Sequence, residues 1–310
     1  MKPRPMEIIA ATAARQHGVV NRLQCLAAGL TEHALQHRLE TGSLIRVLPG
    51  VYRVAGAPRT WRQALMAALL WAGPGAVVSH RAAAAIWHAP GFEEGKVEIQ
   101  AVRGFRRRSG IDCHRTRSLP AKDIAEIDSL RVTTPARTVV DLAAFVSRKV
   151  LEGALDDFLR RRLVTLEAVA EAMDVLGTKG RKGMAALKAA LTVRFGQGGP
   201  SHSAMERRLY EVLVAAGLPR PRKQHKVWRN GKLFAQFDCA YVRAMIGIEA
   251  DSYKWHGTRG DWDGDRARDR ILRLMGWKVL RFSWEEIYFH PEYVVAEVRA
   301  ALEERDIFPA

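Results

Sequence analysis

The chain has 310 residues, more than one small domain needs and enough for two or three, each with its own core. Its 49 Lys plus Arg against 33 Asp plus Glu leave a formal charge of +16, a field that draws polyanions and makes nucleic acid the first-choice partner. An apolar fraction of 48% excludes a disordered chain, and three cysteines far apart exclude a disulfide framework or a zinc site by spacing. No apolar run is long enough for a membrane anchor or a secretion signal, so a reducing cytoplasm is the expected compartment.

Residues 6–17 read as a first helix with Ile8, Ile9, Thr12 and Ala13 on one side, Arg22 to Ala28 as a second that stops at Gly29, and Thr31 as the cap of a third running to Glu40. Two alternating strands follow around a Pro-Gly turn, from Leu44 to Val54. Residues 1–58 therefore read as a winged helix. Its third helix buries Leu35 and Leu39 and presents His33, Gln36 and His37, which can reach base edges, while Arg46 and Arg53 on the wing can reach phosphates. Glu32 and Glu40 on the same helix face oppose DNA contact, and docking on a protein is the competing use.

Residues 59–195 read as a mixed α+β region that turns into helices. Trp61 to Trp71 is an apolar helix, Ser79 caps an Ala-rich helix from His80 to Trp87, and Thr134-Pro135 opens another. Strand-like runs Val97 to Val102 and Ile111 to Arg115 flank Arg103 to Arg108. This is a hairpin tip on which Arg106 and Arg107 are candidate phosphate contacts. The Gly- and Pro-rich stretch 196–202 reads as a linker.

Residues 203–310 carry the chemistry. Ser203 opens a helix in which Glu206 either closes a capping box or turns inward to support a site. Asp238 falls in the middle of the alternating run Leu233 to Val242, where an unpaired carboxylate is costly. Glu249 and Asp251, two residues apart, share one face of the next strand. A hairpin of these strands brings the three carboxylates together, and such a group calls for a hard divalent cation, Mg²⁺ or Mn²⁺.

The order of helix glutamate (Glu206), strand aspartate (Asp238), then Glu249-x-Asp251 followed by Trp255-His256-Gly257, resembles the very-short-patch-repair endonuclease branch of the PD-(D/E)XK nuclease superfamily. The resemblance covers about residues 203 to 302 and includes Asp265 to Arg270 and Gly276 to Trp284. It implies a restriction-endonuclease-like α/β domain with a central mixed sheet. It also implies metal ligation by Asp238, Glu249 and Asp251, His256 as general acid or base, and Asp265, Arg268 and Arg281 orienting the site or touching the DNA backbone. The family's usual lysine two residues after the glutamate is Asp251 here, and Ser252 stands where a glycine is typical. The winged helix together with Val77 to Ala84 resembles AbiEi-type antitoxins, which implies binding of double-stranded promoter DNA and a cognate toxin or a second copy as partner.

The fold expected is thus multidomain α+β. Two functions stand: a metal-dependent DNA endonuclease targeted by its own winged helix, and a non-catalytic regulator or antitoxin that keeps a degenerate nuclease fold.

Overall fold

The computed structural model describes residues 3–102, 108–177, 181–196, 200–251 and 259–305, leaving aside the side chains of 259–266. The expectations for Arg106, Arg107, His256 and the Asp265 side chain lie outside the described residues. The chain forms two compact units, Met1–Thr165 with Arg181–Leu187, and Leu166–Gly180 with Lys188–Ala310.

The first unit begins with helix α1 (Pro5–Arg15), strand β1 (Val19–Asn21), helices α2 (Arg22–Ala27) and α3 (Glu32–Glu40), and strands β2 (Leu44–Leu48) and β3 (Val51–Val54). Asn21 and Gln24 form a reciprocal capping box on α2, and the Thr31 hydroxyl accepts from Ala34 N to start α3. The strands form an antiparallel sheet in the order β1-β3-β2 over a core of Ile9, Val20, Cys25, Leu35, Leu44 and Tyr52. Three-residue β1 is too short to give a sequence period and was not expected.

Helix α4 (Trp61–Ala72), strand β4 (Val77–Val78), helix α5 (His80–Ile86), strands β5 (Val97–Ala101), β6 (Ile111–Arg115), β7 (Ile124–Ile127) and β8 (Leu130–Thr133), and helices α6 (Pro135–Leu142) and α7 (Arg148–Arg160) complete this unit. The sheet order is β6-β5-β4-β8-β7. Strands β5 and β6 run parallel, with Val97 opposite Ile111 and Ala101 opposite Arg115, which corrects the hairpin expected from their proximity. The parallel register sets Ile111 and Cys113 against the core shared by Leu65, Val78, Ile99 and Val132. Val19 and Val51 belong to that same core, and β1, β2 and β3 pack against α4.

Arg137 on α6 is fully buried and is satisfied by Asp123 at 2.8 Å, Asp141 at 3.1 Å, Thr116 Oγ1 at 2.9 Å and the Ser118 carbonyl at 3.1 Å. Ser79 precedes α5 but its hydroxyl pairs with His80 Nδ1 at 2.9 Å, and the free Arg81 N-H is taken instead by buried Glu98 at 2.6 Å. His80, at φ +53°, stacks on His114 with ring centroids 3.7 Å apart. Burial first, and then the His114 ring and the Arg137, Arg81 and Arg181 charges, pull its pKa down to about 2.

The second unit comprises α8 (Leu166–Leu176), most of α9 (Met184–Phe195), α10 (His202–Ala215), β9 (Arg222–Arg229), β10 (Lys232–Tyr241), β11 (Ile246–Asp251), α11 (Arg259–Leu274), β12 (Lys278–Ser283), α12 (Trp284–Phe289) and α13 (Pro291–Glu303). Its sheet has the order β12-β11-β10-β9, antiparallel except for β11 with β12. Helix α8 packs on α12, and Arg208 on α10 pairs with Asp174, so this unit begins well before the linker that composition marked at 196–202. Gly247 lies where a Cβ would come within 2.5 Å of the Phe237 ring, so only glycine lets that ring cross β11 and join Leu272 and Trp277.

Candidate active site

Helix α10 starts one residue earlier than its sequence suggests, because Ser201 supplies the cap, its hydroxyl accepting from Ala204 N at 3.3 Å. That removes Glu206 from the capping box with Ser203 and places it in the second turn, four residues after His202 and on the same face. Nδ1 of His202 pairs with Glu206 Oε1, while Nε2 lies 3.9 Å from Asp238 Oδ2. The ring stands between two carboxylates.

Asp238 follows the chemistry expected of a mid-strand carboxylate. It is 8% exposed, and its Oδ2 accepts from Ala250 N at 2.8 Å just beyond the last ladder pair of β10 and β11, Cys239 with Ile248. The side chain thus replaces a strand-to-strand bond. Gln224 on β9 donates from Nε2 to Glu206 Oε2 at 2.6 Å and to Asp238 Oδ1 at 3.3 Å. Burial raises the Asp238 pKa most; the Ala250 bond and His202 oppose this, and the Glu206 and Glu249 carboxylates add to it. The group needs positive charge.

One nitrogen of His202 and one oxygen each of Glu206 and Asp238 lie within 4.8 Å of one another, close enough to share a divalent cation. The donor set fits such an ion: two carboxylates suit hard cations, and the imidazole favours Mn²⁺ over Mg²⁺, which prefers oxygen throughout.

The structure does not bring Glu249 and Asp251 into this group. Both Glu249 oxygens are taken, Oε1 by Arg268 and Oε2 by Arg281 Nε at 2.9 Å. Arg281 also grips Asp269 through both terminal nitrogens at 2.6 and 2.7 Å, and these contacts, Asp269 first, hold its pKa above the usual arginine range. The register pairs Glu249 with Arg281 directly across β11 and β12, which is why the glutamate turns to arginine. Asp251 is exposed at the end of β11 opposite Ser283.

On α3, His33, Gln36 and His37 are exposed as expected, although Gln36 spends its amide on Glu40 at 2.9 Å. Arg46 is exposed on β2. Arg53 is not available to phosphate: it is 7% exposed and donates to the Ala57 carbonyl at 2.6 Å, because its strand lies in the middle of the small sheet.

Two members of the site escaped the sequence reading. His202 could have been found from its spacing four before Glu206. Gln224 had no such signal, because only the pairing of β9 with β10 brings it to Asp238.

Residues 206–302 match the family model REase_MTES_1575, a restriction-endonuclease-like domain, and residues 7–55 match the model AbiEi_4, described as "Transcriptional regulator, AbiEi antitoxin". The chain joins an AbiEi-antitoxin-like DNA-binding segment to a restriction-endonuclease-like domain. Glu206 and Asp238 fall within the endonuclease-like match, on α10 and β10, and His202 lies on α10 four residues before that match begins. Over 276 residues the chain is 25% identical to "Uncharacterized protein MT2308" of Mycobacterium tuberculosis strain CDC 1551 / Oshkosh. It is equally similar to "Uncharacterized protein Rv2248" of strain H37Rv, and each alignment covers 88% of this chain and 98% of the relative. Among the described residues no helix is long and apolar enough to cross a membrane.

Proposed function

We propose that this protein binds double-stranded DNA through its antitoxin-like segment, a winged helix, and hydrolyses phosphodiesters with its endonuclease-like domain. The observation that carries this reading is the convergence of His202, Glu206 and Asp238 on one point. Glu206 and Asp238 would hold a divalent cation, which when bound supplies Lewis acidity toward a phosphate oxygen. Gln224 fixes both carboxylates in place. His202 stands between them, with Nδ1 against Glu206 and Nε2 3.9 Å from Asp238. Arg268 and Arg281 neutralise Glu249, and Arg281 also neutralises Asp269. Asp251 at the strand end and His256 beyond it remain proposed contributors to metal binding and proton transfer.

Supercoiled plasmid incubated with the full chain and Mn²⁺ or Mg²⁺ tests this. Nicking by the wild type and none by Asp238→Asn is the expected outcome; no nicking with either ion would remove the reading.

A second reading, a non-catalytic regulator or AbiEi-type antitoxin, is favoured by the engagement of both Glu249 oxygens with arginine, which leaves fewer carboxylates for a metal. It expects tight, sequence-selective binding to a short promoter site with no cleavage in any divalent cation.

A further inference from the structure

Strand β9 lies at the edge of the endonuclease-like sheet and carries Arg222, Lys223, Lys226 and Arg229 exposed, with no acidic residue among its eight. Basic side chains on an edge strand often serve only to prevent strand addition. Here that explanation fails at two positions. Trp228 is 58% exposed and Leu233, directly opposite it on β10, is 49% exposed, and a bare indole beside a bare leucine makes an edge more adhesive.

The register shows where these groups lead. Residues directly opposite across an antiparallel pair share a face. Trp228 and Leu233 form one such pair and Lys226 and Gln236 the next on that face, since Val227 and Ala235 between them turn into the core. Gln236 in turn donates to Gln224, the residue that holds Glu206 and Asp238. One face of the hairpin therefore runs from an aromatic and aliphatic tip, past a lysine and two amides, to the carboxylate group. Lys223, with its ammonium 3.8 Å from the Tyr210 ring centroid, flanks the same end.

We infer that the β9–β10 hairpin is a track for a single DNA strand leading into the site, with Trp228 stacking on an unpaired base and Lys226 and Lys223 meeting phosphates. Stacking selects this occupant because every base offers a π face when unpaired and hides it in a duplex, and the basic flank complements the backbone. The assignment rests on the phosphodiesterase reading only for where the strand ends. It means that the domain prefers ends, flaps or melted segments over intact duplex.

The test uses the full chain in EDTA, so that binding is read apart from cleavage. A fluorescein-labelled single-stranded oligonucleotide and a blunt duplex of the same sequence are titrated with wild type, Trp228→Ala, Trp228→Phe and Lys226→Glu, each checked for an unchanged melting temperature. Trp228→Ala should weaken single-strand binding roughly tenfold, the size expected for one lost stacking contact. Trp228→Phe should restore most of it, and Lys226→Glu should weaken it and flatten its salt dependence, while duplex affinity changes less than twofold with Trp228→Ala. Unchanged single-strand binding by Trp228→Ala would overturn the inference, as would equal losses on both DNAs. It would also fall if Trp228→Ala converts a wild-type dimer to monomer in sedimentation, which would make the surface an interface between copies. Trp228-dependent binding without plasmid nicking would leave the track and remove the phosphodiesterase reading; nicking without Trp228-dependent binding would do the reverse.

Discussion

Arg281 donates from Nε to Glu249 Oε2 at 2.9 Å, across a parallel strand pair that sets the two residues side by side. This one contact, with Arg268 on the other oxygen, divides the carboxylates that looked like a single cluster in the sequence. Asp238 is left to α10, where His202 and Glu206 meet it.

Calorimetric titration of Mn²⁺ separates the two roles. Asp238→Asn and Glu206→Gln should each abolish measurable binding. Glu249→Gln should retain it and instead lower stability by about 1–3 kcal/mol, the cost of leaving charged groups short of a partner. Equal loss of Mn²⁺ binding by Glu249→Gln would return that residue to the ligand set.

Arg137 is a stability determinant. Its guanidinium has Asp123 and Asp141 for company in a fully buried setting, so Arg137→Met should cost about 3–5 kcal/mol by leaving the aspartates uncompensated. Urea denaturation measures it, and a loss below about 1 kcal/mol would contradict the assignment.

His80 makes the first unit sensitive to acid. Its folded pKa, about 2, is below the ordinary value, so the unfolded chain binds the proton that the folded one refuses. Stability is then complete above about pH 6.5 and declines as pH falls toward 2, by about 1.4 kcal/mol between pH 7.5 and 5.5 from this group. Denaturant midpoints across that range should fall in the wild type and fall less in His80→Asn, which tolerates the positive φ.

Arg46 on β2 and Arg53 on β3 should behave differently. Arg46→Ala should weaken duplex binding and reduce the slope of log affinity against log salt by about one. Arg53→Ala should leave the slope unchanged and lower the melting temperature, because its guanidinium is spent on Ala57. A matching change in slope for both would place Arg53 on the DNA.

Periodicity and capping made much of the fold legible: Thr31 and Thr134 cap helices that form where expected, because these signals are local. The parallel pairing of β5 with β6 was not legible, since proximity along the chain favours a hairpin and only the shared core at Ile111 and Cys113 decides otherwise. At the site, Asp238 and Glu206 were visible as chemistry-bearing residues on a strand and a helix. Whether Glu249 joins them was decided by Arg268 and Arg281, which come from a later helix and strand. The amino-acid sequence by itself determined the charge, the elements and the inventory of carboxylates. The tertiary structure alone decided which carboxylates gather around His202 and which faces an arginine, because that choice depends on strand register and on groups far apart in the chain.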